Sequence, residues 1–257
     1  MIRDVVFWAM VVMTGTGCTA TPDIEVDVLS SGGFAAPYET LAPMFAASTG
    51  IRLNTVFGAS MGGAPDSIPV RLAEGETPDV VILSRPGLDR LVADGYVLGE
   101  SAVDLAESTI GMAIPAGQPV PDISTVEAFT ATLLAADSIA YSASVSGTYL
   151  STEVFPRLEV ADVLAAKSTR VVSERVGAVV ARGDAAIGFQ QVSELLPIEG
   201  VHYVGELPAA FQRVTVFSAA VTRHARHPDA AAALIAYLAS SAAESTIRDA
   251  GLRPLAQ

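Results

Sequence analysis

What most constrains the fold is a grammar repeated along nearly the whole chain: a short apolar run, then a segment with apolar residues at helical spacing. Residues 24–30 alternate as a strand does, and Tyr38, Leu41, Ala42 and Phe45 then recur at the helical period. Gly50 stands where a helix C-terminus wants a left-handed residue. Residues 51–57 form a second strand pattern, followed by a small-residue loop at 58–64 and a short helix capped by Ser67, with Pro69 in its first turn. A third strand at 79–83 leads to a helix at 86–94 that stops at Gly95. The middle third continues with a strand at 110–114 and a capping box, Ser124 with Glu127, ahead of an apolar helix to Ala136. Strands at 138–142, 170–173 and 185–189 are separated by helices at 147–156 and 175–182. The chain then runs through strands at 201–204 and 214–221 into two Ala-rich helices, with Gly251 as the last stop. Such alternation predicts an α/β architecture with largely parallel sheets.

The 257 residues allow one large domain or two lobes, at roughly 100–200 residues per domain. A composition 51% hydrophobic and only 17% charged argues for a folded core. With 28 acidic residues against 15 basic ones the net charge is −13, which excludes nucleic acid as a natural partner. Cys18 is the sole cysteine, so neither an intramolecular disulfide nor a multi-thiolate zinc site can form. His202 lies within an apolar strand pattern, while His224 and His227 precede a helix beginning near Asp229. None of the three has metal-ligand spacing, and no metal is expected.

The N-terminus reads as an address. Arg3 and Asp4 precede a nine-residue apolar run, 5–13, far short of the roughly 20 residues that span a bilayer. Small residues follow, Thr14-Gly15-Thr16-Gly17-Cys18-Thr19-Ala20, in the order of an export signal over 1–20. Cys18 after Thr16-Gly17 resembles a lipoprotein box, with Gly15 in place of the usual large aliphatic residue. Ordinary cleavage near Ala20 is the other outcome. A membrane is therefore expected as a partner only through a lipid anchor on Cys18.

In open α/β sheets, ligands sit beyond the C-terminal strand ends. The loops there read Ser30-Ser31-Gly32-Gly33, Gly58-Ala59-Ser60-Met61-Gly62-Gly63, Ser84-Arg85, Ser142-Ala143-Ser144-Val145-Ser146-Gly147-Thr148-Tyr149, Ser173-Glu174-Arg175 and Gln190-Gln191. Hydroxyls and glycines at helix starts favour anions. They are also common turn and cap residues; their recurrence in both halves of the chain is what favours a site. Arg71, Arg85 and Arg175 stand in or beside these loops, and a guanidinium holds a carboxylate through two parallel hydrogen bonds or a surface acid equally well. Glu174 can be a base, a ligand contact or a helix-start acid. The chain has no Gly-x-Ser-x-Gly elbow, no phosphate loop ending in Gly-Lys-Ser/Thr and no Gly-x-Gly-x-x-Gly after a strand, so hydrolase, NTPase and dinucleotide chemistries rank low.

Several segments carry a family resemblance: VLSSGGFAAPYETLAPMFAASTGIRLNTVFGAS (28–60), GETPDVVIL (75–83), LDRLVADGYV (88–97), RGDAAIGFQQVSELL (182–196) and HPDAAAALIAYLASSAAESTIRDAGLRP (227–254). Through them the chain resembles bacterial periplasmic solute-binding proteins of the molybdate-binding type. The resemblance implies a type II periplasmic-binding-protein fold with a ligand cleft between two lobes joined by crossover strands near Ser108 and Gly205. Lobe I would comprise 23–108 and 205–257, and lobe II 109–204. It also implies ligand contacts from Ser30 or Ser31 and from Ser60 in the first lobe, with Met61 beside Ser60 a further ligand-binding candidate. Ser144, Ser146, Gly147, Thr148, Tyr149, Glu174, Arg175 and Gln190 would supply the second lobe's share. The loop GASMGGAPDSIPVRLAEGE (58–76) and Ser84-Arg85 depart from the molybdate pattern, and their extra guanidinium groups point to a ligand with several carboxylates. The segments at 58–72, 141–158 and 173–197 resemble the aconitate isomerase branch of this fold, which implies a cofactor-independent allylic proton shift. Such a shift needs fixed donors around the carboxylates and a base; Glu174 is the first choice, then Tyr149, with His202 a remote third. The other reading is a monomeric receptor delivering molybdate or a related anion to an ABC permease.

Overall fold

The computed structural model describes residues 24–255, so the expected export segment and Cys18 lie outside the described residues. Eleven strands occur among them: β1 (Glu25–Ser31), β2 (Arg52–Gly58), β3 (Val80–Ser84), β4 (Val103–Ser108), β5 (Ile110–Pro115), β6 (Ile139–Ser142), β7 (Ser168–Val171), β8 (Ile187–Gln191), β9 (Val201–Glu206), β10 (Thr215–Val221) and β11 (Arg253–Pro254). They form two sheets, of order β11-β4-β10-β3-β1-β2 and β7-β6-β8-β5-β9. The first sheet is thus built from both ends of the chain and the second from its middle.

Each sheet has a parallel part and an antiparallel part, a correction to the expectation of largely parallel sheets. β1 runs parallel to β2 and β3, and β6 parallel to β7 and β8, as strand–helix–strand crossovers require. β10 is antiparallel to both β3 and β4, and β5 to both β8 and β9. Apart from β11, which pairs antiparallel with β4, the antiparallel pairs involve the strands by which the chain passes between sheets. β4 and β5 are separated by Thr109 alone, and the return crosses at 207–214. Gly205 lies inside β9 and still pairs with Met112 of the second sheet, so the return falls later than the sequence pattern indicates.

Burial follows the strand pattern. Val26, Val28, Val80, Ile82, Phe217, Ala219 and Leu234 belong to one core cluster on one face of the first sheet, with Phe34, Tyr38, Leu41 and Phe45 from the helix region that follows β1. On the other face, Leu29, Val81, Leu83, Leu88 and Leu91 form a second cluster. The second sheet buries Met112, Phe129, Phe189, Leu150 and Tyr149 together. Strands covered on both faces read as continuous apolar runs, which is why β3, Val-Val-Ile-Leu-Ser, is buried at every residue.

Three local expectations change. Thr125, not Ser124, caps the helix Val126–Ala135, its side chain accepting the Ala128 N–H at 3.1 Å. Ser67 is at the N-cap of the helix Ile68–Ala73, but its hydroxyl donates to Gly62 O at 2.9 Å instead of capping. β7 ends at Val171, so Val172, Ser173 and Glu174 are loop; Ser173 takes a left-handed φ of 60°. Among the described residues no helix is long and apolar enough to cross a membrane.

Candidate functional site

Five strand C-termini converge on one cleft. Ser31 ends β1, Gly58 ends β2, Ser142 ends β6, Val171 ends β7 and Gln191 ends β8, and all five line a cavity of about 530 Å³. Its lining comes from both halves of the molecule, in the size range of small-molecule sites. Contacts between the halves frame it. Ser193 Oγ donates to Gly33 O at 2.7 Å, Gln191 Nε2 to Thr215 Oγ1 at 3.1 Å, and Ser173 Oγ to Asp66 Oδ1 at 3.0 Å.

Of the residues singled out from sequence, Ser31, Ser60, Met61, Ser144, Ser146, Glu174, Arg175 and Gln190 line the cleft. Ser31 is 2% exposed, and its Oγ has no hydrogen-bond partner among the described residues. A buried hydroxyl left in that state is costly unless something else satisfies it. Ser60 Oγ accepts the Ser84 N–H at 3.1 Å, which leaves its own proton to donate elsewhere. Ser142 Oγ and Ser146 Oγ lie 3.1 Å apart and tie the end of β6 to the helix start. Gly147 is needed behind them, because a Cβ there would stand 1.8 Å from Ser142 O. Arg175 makes no ion pair or side-chain hydrogen bond among the described residues and stands at the N-cap of the helix Val176–Ala181.

The remaining expectations are corrected. Ser30 is fully buried behind the cleft lining. Arg71 pairs with Glu76 at 3.0 Å, outside the cleft. Arg85 pairs with Asp89 at 2.8 Å and Asp104 at 2.9 Å, which hold its guanidinium above its usual range, and it too lies outside the cleft. Gly147 and Thr148 support the loop without lining it, and Thr148 is exposed. Tyr149 is buried in the second core with the Arg213 guanidinium 3.8 Å over its ring, so it cannot reach a cleft ligand as a base. His202 is exposed on the edge strand β9, away from the cleft.

Glu174 lines the cleft but is engaged. Arg182 donates to both its oxygens, at 2.7 and 3.0 Å, and this bidentate pair holds the carboxyl below its usual range. A carboxylate so stabilised is a weak base at neutral pH. The acid that sequence reasoning missed is Glu194, in the short helix Val192–Leu195 after β8, which also lines the cleft. Gln190 Nε2 donates to Glu194 Oε1 at 2.8 Å, and Gln190 Oε1 accepts the Val176 N–H at 2.8 Å, which fixes the amide's orientation. Burial pushes the Glu194 carboxyl up to about 7, against the opposing pulls of the Arg175 charge, the Gln190 hydrogen bond and the Gln191 backbone. Arg170, Asp66, Phe57, Val172 and Phe217 are the other lining residues that composition did not single out. Arg170 adds a second guanidinium, and the apolar groups give a carbon skeleton something to lie against. Among the described residues, no group of three or more His, Cys, Asp or Glu is placed to hold a metal ion.

Comparison with known proteins agrees with this geometry. The model of the bacterial extracellular solute-binding proteins matches residues 26–253. The chain belongs to that family. An aconitate isomerase from a Pseudomonas species is a relative of this family member, 46% identical over 236 residues, covering 92% of this chain and 90% of the relative. Solved structures share the solute-binding fold at lower identity. The periplasmic molybdate-binding protein of Azotobacter vinelandii aligns with a TM-score of 0.72 at 20% identity over 90% of this chain and all of that one. A sulfate-binding protein of Mycobacterium tuberculosis aligns at 0.68 and 20% identity, over 90% of this chain and 87% of that one.

Proposed function

We propose that this protein is a cofactor-independent aconitate isomerase working in the cleft between its two sheets. The observation that carries the reading is the 46% identity with an aconitate isomerase across nearly the full length of both chains. The cleft chemistry supports it. Hydroxyls of Ser31, Ser60, Ser144 and Ser146, with the guanidinium groups of Arg170 and Arg175, surround a space walled partly by Phe57, Met61, Val172 and Phe217. A tricarboxylate with a flat carbon skeleton meets donors at its charged ends and apolar surface at its middle. Isomerisation breaks a C–H bond at the methylene carbon, shifts the double bond across the central carbon and re-forms a C–H bond at the former vinyl carbon. The negative charge that develops spreads onto the flanking carboxylates, where fixed donors stabilise it more than they do the ground state.

The two sheets with their helices serve as the lobes, 24–108 with 215–255 and 110–206, and their closure excludes water from the reacting carbons. The solute-binding family and the N-terminal pattern support a location in the periplasm or cell envelope, with mass spectrometry of the mature N-terminus distinguishing a lipid on Cys18 from cleavage near Ala20. A transport receptor passing its ligand to a permease is the competing reading, favoured by the fold shared with periplasmic binding proteins. Calorimetry against molybdate, tungstate, sulfate, citrate and trans-aconitate separates the two. The isomerase reading expects trans-aconitate to bind and the tetrahedral oxyanions to bind weakly. Tight molybdate binding without carboxylate binding removes it.

A further inference from the structure

We infer that Glu194 is the catalytic residue that carries the proton between the two carbons of the substrate, an assignment that rests on the isomerase reading. Three features of its placement support it. First, it sits where the two halves meet: its neighbour Ser193 donates to Gly33 O at 2.7 Å, so the short helix is pinned across the cleft floor. Second, its carboxyl is pressed against Gly32, where any Cβ would come within 2.4 Å of Oε1. With no side chain at Gly32, the carboxyl fits against the β1 loop in this position without shifting. Third, Gln190 is a rigid second link. It is held by the Val176 N–H and in turn holds Glu194 Oε1, both at 2.8 Å, so the carboxyl has a defined orientation toward the cleft.

The charged groups around it divide the labour. Arg175 and Arg170 supply positive charge within the cleft, Glu174 is occupied by Arg182, and Asp66 accepts from Ser173. Among the described residues Glu194 is the remaining cleft carboxyl, and its elevated proton affinity suits a group that must both take and return a proton near neutral pH. In the step itself, a Glu194 carboxylate oxygen takes a proton from the methylene carbon. The C–H pair delocalises over the allyl unit and its carboxylates. The Glu194 O–H bond then breaks as the proton passes to the former vinyl carbon, and the double bond re-forms one position over. Nothing is oxidised or reduced, and the carboxylate is regenerated.

The test uses the full mature protein with trans-aconitate, comparing wild type, Glu194→Gln and Glu174→Gln. Loss of the proton carrier predicts a kcat about 10²–10⁴-fold lower for Glu194→Gln, with trans-aconitate affinity by calorimetry within about threefold, since the amide keeps the Gln190 contact. The wild-type kcat/KM is expected to rise with pH through an apparent pKa near 7, a limb the variant lacks. If Glu194→Gln does not fold, Glu194→Asp decides: lowered turnover that keeps the limb supports the assignment, and wild-type turnover overturns it. Full turnover in Glu194→Gln, or its loss only in Glu174→Gln, overturns the assignment and leaves the isomerase reading standing. No cis-aconitate from the wild type removes that reading and the assignment with it.

Discussion

Replacing Glu194 with Gln should stabilise the protein, by an amount that depends on pH in a defined direction. In the folded state its carboxyl titrates near 7, against an ordinary value of 4.5, chiefly because burial disfavours the charged form. Between those two values the folded protein holds a proton that the unfolded chain has released. Stability therefore falls as pH rises through this window, the opposite of the usual behaviour of a salt-bridged acid. At about 1.4 kcal/mol per pKa unit, ionising this group in place costs about 3 kcal/mol by pH 8. Glutamine keeps the shape and carries no charge, so the variant escapes that cost. Urea unfolding followed by circular dichroism, without ligand, at pH 4, 5.5, 7 and 8 should show the variant gaining on the wild type step by step. The gap should open to about 3 kcal/mol, equivalent to roughly 6–12 °C in Tm for a chain of this size. A gap that is constant across the range refutes the burial of a titrating Glu194. One that grows toward low pH would mean the carboxyl is stabilised as an anion instead.

Gly147→Ala should destabilise by about 1–3 kcal/mol, toward the upper end because its obstacle is the Ser142 backbone carbonyl rather than a flexible side chain. Calorimetry should show weaker trans-aconitate binding alongside, since the Ser144–Ser146 loop must shift. Arg175→Ala should weaken trans-aconitate binding about 10–100-fold, the range for losing a charge-assisted contact of about 1.5–3 kcal/mol. Arg85→Ala should leave that affinity unchanged and cost about 1 kcal/mol of stability, because its partners are the exposed Asp89 and the half-buried Asp104.

The α/β class and the positions of most strands were legible because buried strands are apolar runs and the glycine stops are local signals. The convergence of strand ends on one cleft was legible for the same reason, and Ser31, Ser60, Ser144, Arg175 and Gln190, picked out at those ends, line it. The antiparallel members were not, since the direction in which β10 or β5 enters its sheet is decided by long-range pairing. Arg71 and Arg85 misled because guanidinium groups beside a loop look alike whether or not they face it. Their acids, Glu76 and Asp89, were nonetheless in plain view five and four residues on. Tyr149 shows the reverse difficulty: its helix face turns into the core rather than the cleft. Glu194 was hidden because the sequence QQVSELL reads as a strand end passing into a surface helix, with an ordinary acid in its first turn. What buries it is Gly32 and the Ser193–Gly33 contact, 160 residues away in the chain. The available signal was the i,i+4 spacing of Gln190, at the end of a strand, and Glu194, just beyond it, which places both at the cleft.

The most direct measurement is the proton spectrum of trans-aconitate in deuterium oxide, followed for hours with catalytic amounts of the purified protein and no added cofactor. An isomerase of the kind proposed converts the trans vinyl signal to that of cis-aconitate at a rate proportional to protein concentration. Deuterium should enter the shifted carbon to the extent that the proton carrier exchanges with solvent. A spectrum unchanged while calorimetry shows trans-aconitate bound in the cleft would contradict catalysis and leave a binding protein.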